Sequence, residues 1–339
     1  MRVCPNCGAE APKESVFCPL CGSRFGAFRV IPDQAHEKPI GSLRNDIKAN
    51  IEQGRTTDKR ISTIWSVIPL LILIPTMVSY LWVLVFLSLN TDFGYWDSDV
   101  YYFFRSLMPP ILRVLFAVLA GILLYRLLKR LNRHMDREES LRANVMAYLR
   151  ALAQPSGREI EMINELLRMS AYDGQASTYE KRLNPATWAW GVALLFAIPT
   201  VIQFAIYIPL TVIGEGSIWF VFALLFYAVV VAIGIGALVS LIYLALHITR
   251  TAYTHELRWR GFATSTVAAL RRLGYYVETP EHLGNLKERS VAVYAVLTVL
   301  TLGFFSIYWL YAVIDDPNKH FDEQMQFEMK LWDLVQKTT

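Results

Sequence analysis

Residues 187 to 246 form a sixty-residue stretch in which Glu215 is the one charged side chain, broken once by Gly214-Glu215-Gly216-Ser217. As helices its two arms, 187–213 and 218–246, would each be about 40 Å long, enough to cross a ~30 Å hydrocarbon layer with some tilt. That length without charge predicts a membrane hairpin. Composition agrees: 54% of the 339 residues are hydrophobic and 18% are charged, against ~25% charged in ordinary soluble domains.

Two further apolar segments precede the hairpin. Residues 64–89 follow Lys59-Arg60 and contain Pro69 and Pro75, and residues 111–125 follow Pro109-Pro110, which suits the first turn of a helix. Nothing breaks the second pattern before Pro155, so it predicts one long rod. In it Leu124, Leu128, Leu131, Met135, Glu138, Arg142, Val145, Leu149 and Leu152 step by four and three. Ser156-Gly-Arg-Glu159 reads as a capping box for another helix through about Met169, after which Asp173-Gly174 breaks the chain. After the second arm, Ile248, Ala252, His255, Trp259, Phe262, Thr266, Ala269 and Leu273 repeat the seam in a second rod, and Thr279-Pro280-Glu281 predicts a short helix. Upstream, Ser42 is a candidate N-cap for a short amphipathic helix carrying Leu43, Ile47 and Ile51.

Charge orients these segments. Lysine and arginine number 10 in residues 1–63, 11 in 126–186 and 7 in 249–290, against Arg105 alone in 90–106 and none in 214–217. The positive-inside rule therefore places the N-terminus and both rods in the cytoplasm, and the acidic, aromatic loop 90–106 outside. The first apolar run begins at Ile64, so no cleavable signal peptide is expected.

The four cysteines occur as Cys4-Pro-Asn-Cys7-Gly8 and Cys18-Pro-Leu-Cys21-Gly22. Each pair sets two thiolates on a tight turn, and two such knuckles supply the ligands of tetrahedral Zn2+. A module this small needs its metal to fold. It resembles the minimal zinc ribbon found at the start of many bacterial and archaeal membrane proteins. Its basic residues, Arg2, Lys13, Arg24 and Arg29, are scattered, which argues against nucleic acid and favours a protein contact.

The chain repeats internally. Lys59-Arg60 precedes a span with Trp65 and Ile74-Pro75-Thr76, and Lys181-Arg182 precedes one with Trp188, Trp190 and Ile198-Pro199-Thr200. A partial third copy aligns Leu310, Tyr311, Asn318, His320 and Asp322 with Leu124, Tyr125, Asn132, His134 and Asp136 without gaps. The segment Thr301-Leu-Gly303-Phe-Phe-Ser-Ile-Tyr308-Trp309-Leu-Tyr311 resembles a prokaryotic membrane family of unknown function with a T-x-G-[IFY]-x-x-Y-W-x-Y pattern. The resemblance brings no activity with it. It implies a hairpin returning to the cytoplasm, although Ala312 stands where a basic residue is usual and the tail holds six acids against three lysines. By length alone, residues 290–314 would span once. The alternatives are thus a re-entrant hairpin turning at Thr301-Leu-Gly303, which the repeat favours, or a fifth span.

The expected fold is an all-α polytopic membrane protein with four transmembrane helices, the C-terminal hairpin or span, long cytoplasmic helical extensions and the small N-terminal zinc ribbon. Its units are the ribbon (1–25), a linker with an amphipathic helix (26–63), a first membrane hairpin and rod (64–153), a cytoplasmic helix and linker (154–186), a second hairpin and rod (187–274), and the last membrane segment with a polar tail (275–339).

Candidate functional residues divide into zinc ligands, Cys4, Cys7, Cys18 and Cys21, and weaker groups. Arg113 near the outer end of its span reads as snorkelling to the interface, with a solvated cavity or lipid headgroup as the rival. Gln203 reads as an interhelical hydrogen-bond donor, with a substrate ligand as the rival. Ala232, Gly236 and Ser240 form a small-residue face for helix packing. His134 with Glu138, His255 with Glu256, and His320 with Asp322 read as solvated polar residues at the membrane edge, with a metal site shared by three rods as the rival. No P-loop, nucleophile elbow, H-E-x-x-H or dinucleotide fingerprint occurs, so no enzyme is expected. Two functions remain: a membrane-anchored interaction or assembly protein, with protein partners and the bilayer as its surroundings and homo-oligomers possible, or a small transporter or channel built from the paired broken spans.

Overall fold

A computed structural model describes residues 2–3, 10–11, 38–74, 77–78, 108–213, 217–277 and 286–338, with side chains from 203 to 224 and at a few isolated positions left aside. Two short antiparallel strands, β1 (Arg2–Val3) and β2 (Glu10–Ala11), pair near the N-terminus. The other described elements are helical: α1 (Ile40–Thr57), an apolar segment Thr63–Ile74 that opens as a 3-10 turn, α2 (Met108–Ser156), α3 (Glu159–Tyr179), α4 (Pro185–Ile213), α5 (Ser217–Arg272), α6 (Val291–Leu300) and α7 (Phe305–Lys337).

Three helices contain stretches long and apolar enough to cross a membrane, in Pro110–Pro155, Pro185–Ile202 and Leu225–Arg272. Both expected rods are unbroken continuations of such stretches. α2 has 49 residues and α5 has 56, or roughly 74 and 84 Å of helix. The heptad-like spacing reports burial correctly. Leu128, Met135, Glu138, Arg142, Val145 and Leu149 on α2 are buried, as are Ile248, His255, Trp259, Phe262, Thr266 and Ala269 on α5.

Along α2, α5 and α7 the buried face runs in the same three layers. Nearest the apolar spans, Leu124, Leu128, Leu244, Ile248, Trp309, Val313 and Ile314 form one core. Farthest from them, Val145, Tyr148, Leu149, Trp259, Phe262, Phe327, Leu331 and Val335 form another, joined by Leu43, Ile47 and Ile51 of α1. Burying each of these large side chains contributes roughly 1.5–3 kcal/mol. Between the two cores lies a polar layer.

Several helix ends differ from the sequence expectation. α1 begins at Ile40 behind Pro39, so Ser42 is its third residue and not its cap. Ser156 does not start the next helix: it is the last residue of α2, and α3 begins after Arg158. α2 runs through Pro155 to Ser156 and closes on Gly157 at φ 65°, whose backbone N–H bonds Gln154 while that of Arg158 bonds Ala153, so a left-handed glycine ends one helix where a serine was expected to start the next. α3 passes through Asp173-Gly174 without breaking. Tertiary contacts override the local signal: the Nε of Arg142 donates to Asp173 at 3.0 Å, and Tyr172 packs so close to Gly261 on α5 that a Cβ there would lie 2.3 Å from its ring.

The C-terminal segment is a helical hairpin. α6 starts with Ser290 accepting a bond from the Val293 amide and ends at Leu300; Leu302 and Gly303 take positive φ, 51° and 95°, before α7 begins. A Cβ on Gly303 would lie 2.7 Å from a Leu73 methyl, so the turn abuts the Thr63–Ile74 segment. α7 then continues as one helix through Pro317. Among the described residues, nothing packs within 4 Å of a Cβ built on Gly236 of the small-residue face, whereas Gly121 on α2 is closely packed, with Trp190 and Ala193 against it. The 279–281 helix, the 90–106 loop, Pro75 and the 214–217 turn lie largely or wholly outside the described residues.

Candidate functional site

The polar layer centres on three imidazoles from three helices: His134 of α2, His255 of α5 and His320 of α7. Their ring centroids are 5.1, 5.1 and 5.4 Å apart. Glu138 lies one turn along from His134, on the same face of α2. One potential ligand atom from each of these four residues falls within 4.8 Å of the others. His134 Nε2 is 3.1 Å from His255 Nε2, and Glu138 Oε2 is 2.7 Å from His255 Nε2 and 3.6 Å from His134 Nε2. All four residues are buried. The expectation of solvated residues at the membrane edge is therefore replaced: the four-and-three seam that buries Leu128 and Trp259 turns these polar side chains inward too.

Each imidazole has a carboxylate at its other nitrogen. Asp58 Oδ2 is 3.1 Å from His134 Nδ1, a contact bent away from the N–H direction. Glu180 Oε1 is 2.9 Å from His255 Nδ1, and Glu256 accepts from His320 Nδ1. Such outer carboxylates favour the tautomer protonated at Nδ1, which leaves Nε2 as a lone pair. The carboxylates are themselves held. Arg137 donates to Asp58 at 2.8 Å and to Glu328 at 2.7 Å, Arg258 donates to Glu180 at 2.9 Å, and Arg142 donates to Glu138 Oε1. Phe321 stacks on His134 at 4.0 Å, with the Arg130 guanidinium over its ring.

Burial dominates the protonation of two of the rings. It pushes His134 and His320 down to about 4, despite the carboxylates beside them. For Asp58, burial works upward, but His134 and Arg137 prevail and hold it at about 2. Glu180 is likewise lowered against its own burial by His255 and Arg258. Neutral imidazoles beside fixed carboxylates are the electronic state in which histidine serves as a metal ligand.

Of the residues singled out from sequence, His134, Glu138, His255, Glu256 and His320 come together here. Asp322 does not; it pairs with Arg60 at the surface. Arg113 is exposed on α2, six turns from His134. The Gln203 side chain and Cys4, Cys7, Cys18 and Cys21 lie outside the described residues. Sequence reading missed Asp58 and Glu180. A signal was present: each stands immediately before the Lys-Arg pair that opens an apolar segment, as Asp58-Lys59-Arg60 and Glu180-Lys181-Arg182.

Comparison with known proteins places a zinc-ribbon domain on residues 3–25 and a domain of unknown function, DUF4234, on residues 289–333. No match was found among curated proteins or among solved structures. The chain thus joins an N-terminal zinc-ribbon domain to a C-terminal DUF4234 domain, and His320 is the imidazole that the second of these brings to the cluster.

Proposed function

We propose that this is a membrane-anchored assembly protein, not an enzyme, that presents a preformed cytoplasmic helical head and an N-terminal zinc ribbon to protein partners. One observation carries the reading: α2, α5 and the α6–α7 hairpin each join an apolar segment to the head, and each gives one histidine to a single buried cluster. The membrane segments are thereby tied into one rigid cytoplasmic body, which is what a docking platform requires. Among the described residues, the buried charged groups, from Arg130 to Glu328, lie beyond the apolar stretches, which favours a platform over a solute pathway. In this reading Cys4, Cys7, Cys18 and Cys21 hold zinc, the protein sits in the cell membrane, and the basic segments and N-terminus are cytoplasmic.

The same cluster supports a cytoplasmic tail. His320 on α7 cannot sit beside His134 and His255 if residues 290–314 cross the membrane once, so the segment enters and returns. α6 has 10 residues, about 15 Å of helix and half a hydrocarbon core. Its tip residues Leu300 and Leu302 are exposed, and at its base Arg289 pairs with Asp316 at 2.7 Å and donates to Tyr294 and Tyr308, groups suited to the lipid interface.

Purification in mild detergent tests the platform: a stoichiometric protein partner that is lost on removing residues 1–25 or on substituting exposed head residues supports it. Solute flux in liposomes without any partner overturns it in favour of a channel. A lone cysteine at Lys337, in a variant without ribbon cysteines, tests the tail. Labelling by impermeant maleimide only after lysis is expected, and labelling of intact cells means a fifth span.

A further inference from the structure

We propose that His134, Glu138, His255 and His320 bind one divalent transition-metal ion of the zinc class, in a closed tetrahedral site of three nitrogens and one oxygen that clasps α2, α5 and α7. This site is separate from the cysteine ribbon and shares no residue with it.

The geometry points to an ion in two independent ways. First, tetrahedral zinc with bonds of 2.0–2.1 Å to imidazole and carboxylate has ligand–ligand edges of about 3.3 Å. Three of the six edges, those among Glu138, His134 and His255, are 2.7, 3.1 and 3.6 Å, scattered around that value, and a ligand atom of His320 lies within 4.8 Å of the other three. Secondly, the converging atoms repel each other without a cation. Glu180 and Glu256 accept hydrogen bonds from Nδ1 of His255 and His320, so the Nε2 atoms face inward as lone pairs, as does the Glu138 carboxylate. Glu138 Oε2 and His320 Nε2 are buried and make no hydrogen bond among the described residues. A buried acceptor without a donor costs about 1–3 kcal/mol and is seldom left so. Here two lie in one cluster.

Ligand chemistry narrows the ion. Three imidazoles exclude magnesium and calcium, which take oxygen ligands, and the absence of thiolate disfavours the softest metals; nitrogen with one carboxylate suits Zn2+ and its stand-in Co2+. Every ligand is buried, every imidazole is backed by its own carboxylate, and four protein ligands fill a tetrahedron. That is the pattern of a structural site, without the open position of a catalytic one. The ion's task is then mechanical: it fixes the rods to the hairpin helix that carries His320.

The test uses the full-length chain with Cys4, Cys7, Cys18 and Cys21 all changed to serine, loaded with Co2+ or Zn2+ and desalted. About one equivalent of metal should remain, and Co2+ should show tetrahedral d–d absorption without a thiolate charge-transfer band. Adding His320→Gln or Glu138→Gln should remove the bound metal, while Glu180→Gln, which keeps all four ligands and alters the support of His255, should weaken binding roughly 10–100-fold. Helix content by circular dichroism confirms that each variant is folded. A folded ribbon-less protein that retains neither ion overturns the proposal, as does an unchanged cobalt spectrum in the His320→Gln variant. A variant that fails to fold is replaced by competition of Zn2+ against Co2+ in the ribbon-less parent, where displacement of the d–d band at one equivalent supports the site and its absence overturns it.

Discussion

The two ends of α5 make opposite use of the same helix. Between Leu225 and Val239 most of its large side chains face outward; Leu225, Val229, Ile235, Leu238 and Val239 are exposed. Past Ile248 the large residues turn inward, so that Trp259, Phe262 and Leu270 are buried together with His255 and Glu256. The first half is arranged for a solvent as apolar as itself, in which burial against protein adds little. The second half is arranged for water, which drives its seam into a core and makes each buried charge dependent on a partner. A single continuous helix thus joins a half apolar enough to cross a membrane to a polar, ion-paired head.

The sharpest way to break this contrast is to orphan a charge in the head. Arg137 bridges Asp58 and Glu328, so Arg137→Ala leaves two buried carboxylates short of a partner and should destabilise the head by about 3–5 kcal/mol, read as a lowered denaturant midpoint in detergent. No change would mean that water reaches this layer. Next, Trp259→Ala should cost about 3–5 kcal/mol through the cavity it leaves, whereas Val229→Ala, on the lipid-facing half of the same helix, should stay within about 0.5 kcal/mol. Equal effects in a thermal melt would sink the two-solvent account.

A smaller effect is expected at the hairpin. Gly303→Ala puts a side chain at φ 95° and a methyl against Leu73; a left-handed residue costs about 1–2 kcal/mol, and the Leu73 tip can yield. Faster proteolysis near residue 303 would register the loosened turn. The smallest belongs to the head's outer surface, where Arg182 meets Asp136 at 2.7 Å and also pairs with Glu139 while remaining partly exposed. Arg182→Ala should cost under about 1 kcal/mol, and less at high salt; a larger loss would show that the linker before α4 is structurally essential.

How much of this was legible in the chain depends on the range of the interaction concerned. The uncharged run from 187 to 246 and the seams of α2 and α5 are local periodicities, and a period of 3.6 residues is written along the sequence; they led to the long rods and to the correct buried faces. The turn at Thr301-Leu-Gly303 was readable for the same reason, since glycine at a left-handed position leaves a local mark. Helix ends failed where local and tertiary preferences disagree, as at Asp173-Gly174, which Arg142 and the Tyr172–Gly261 contact hold in a helix that the dipeptide alone would end.

The cluster marks the boundary. The sequence by itself determined that His134 and Glu138 share one face of α2, because four residues make one helical turn, and that the cysteine pairs have zinc spacing, because knuckle geometry is local. It left open whether His255 and His320, 121 and 65 residues apart from their neighbours in the cluster along the chain, meet His134 at all. Only the tertiary structure decided that, by returning α7 through the hairpin and packing it against both α2 and α5, and with it whether these histidines face water or one another. The physical reason is that a ligand set drawn from three helices has no period along the sequence; it exists only where the packing of Leu128, Trp259 and Phe327 sets the three helices in register.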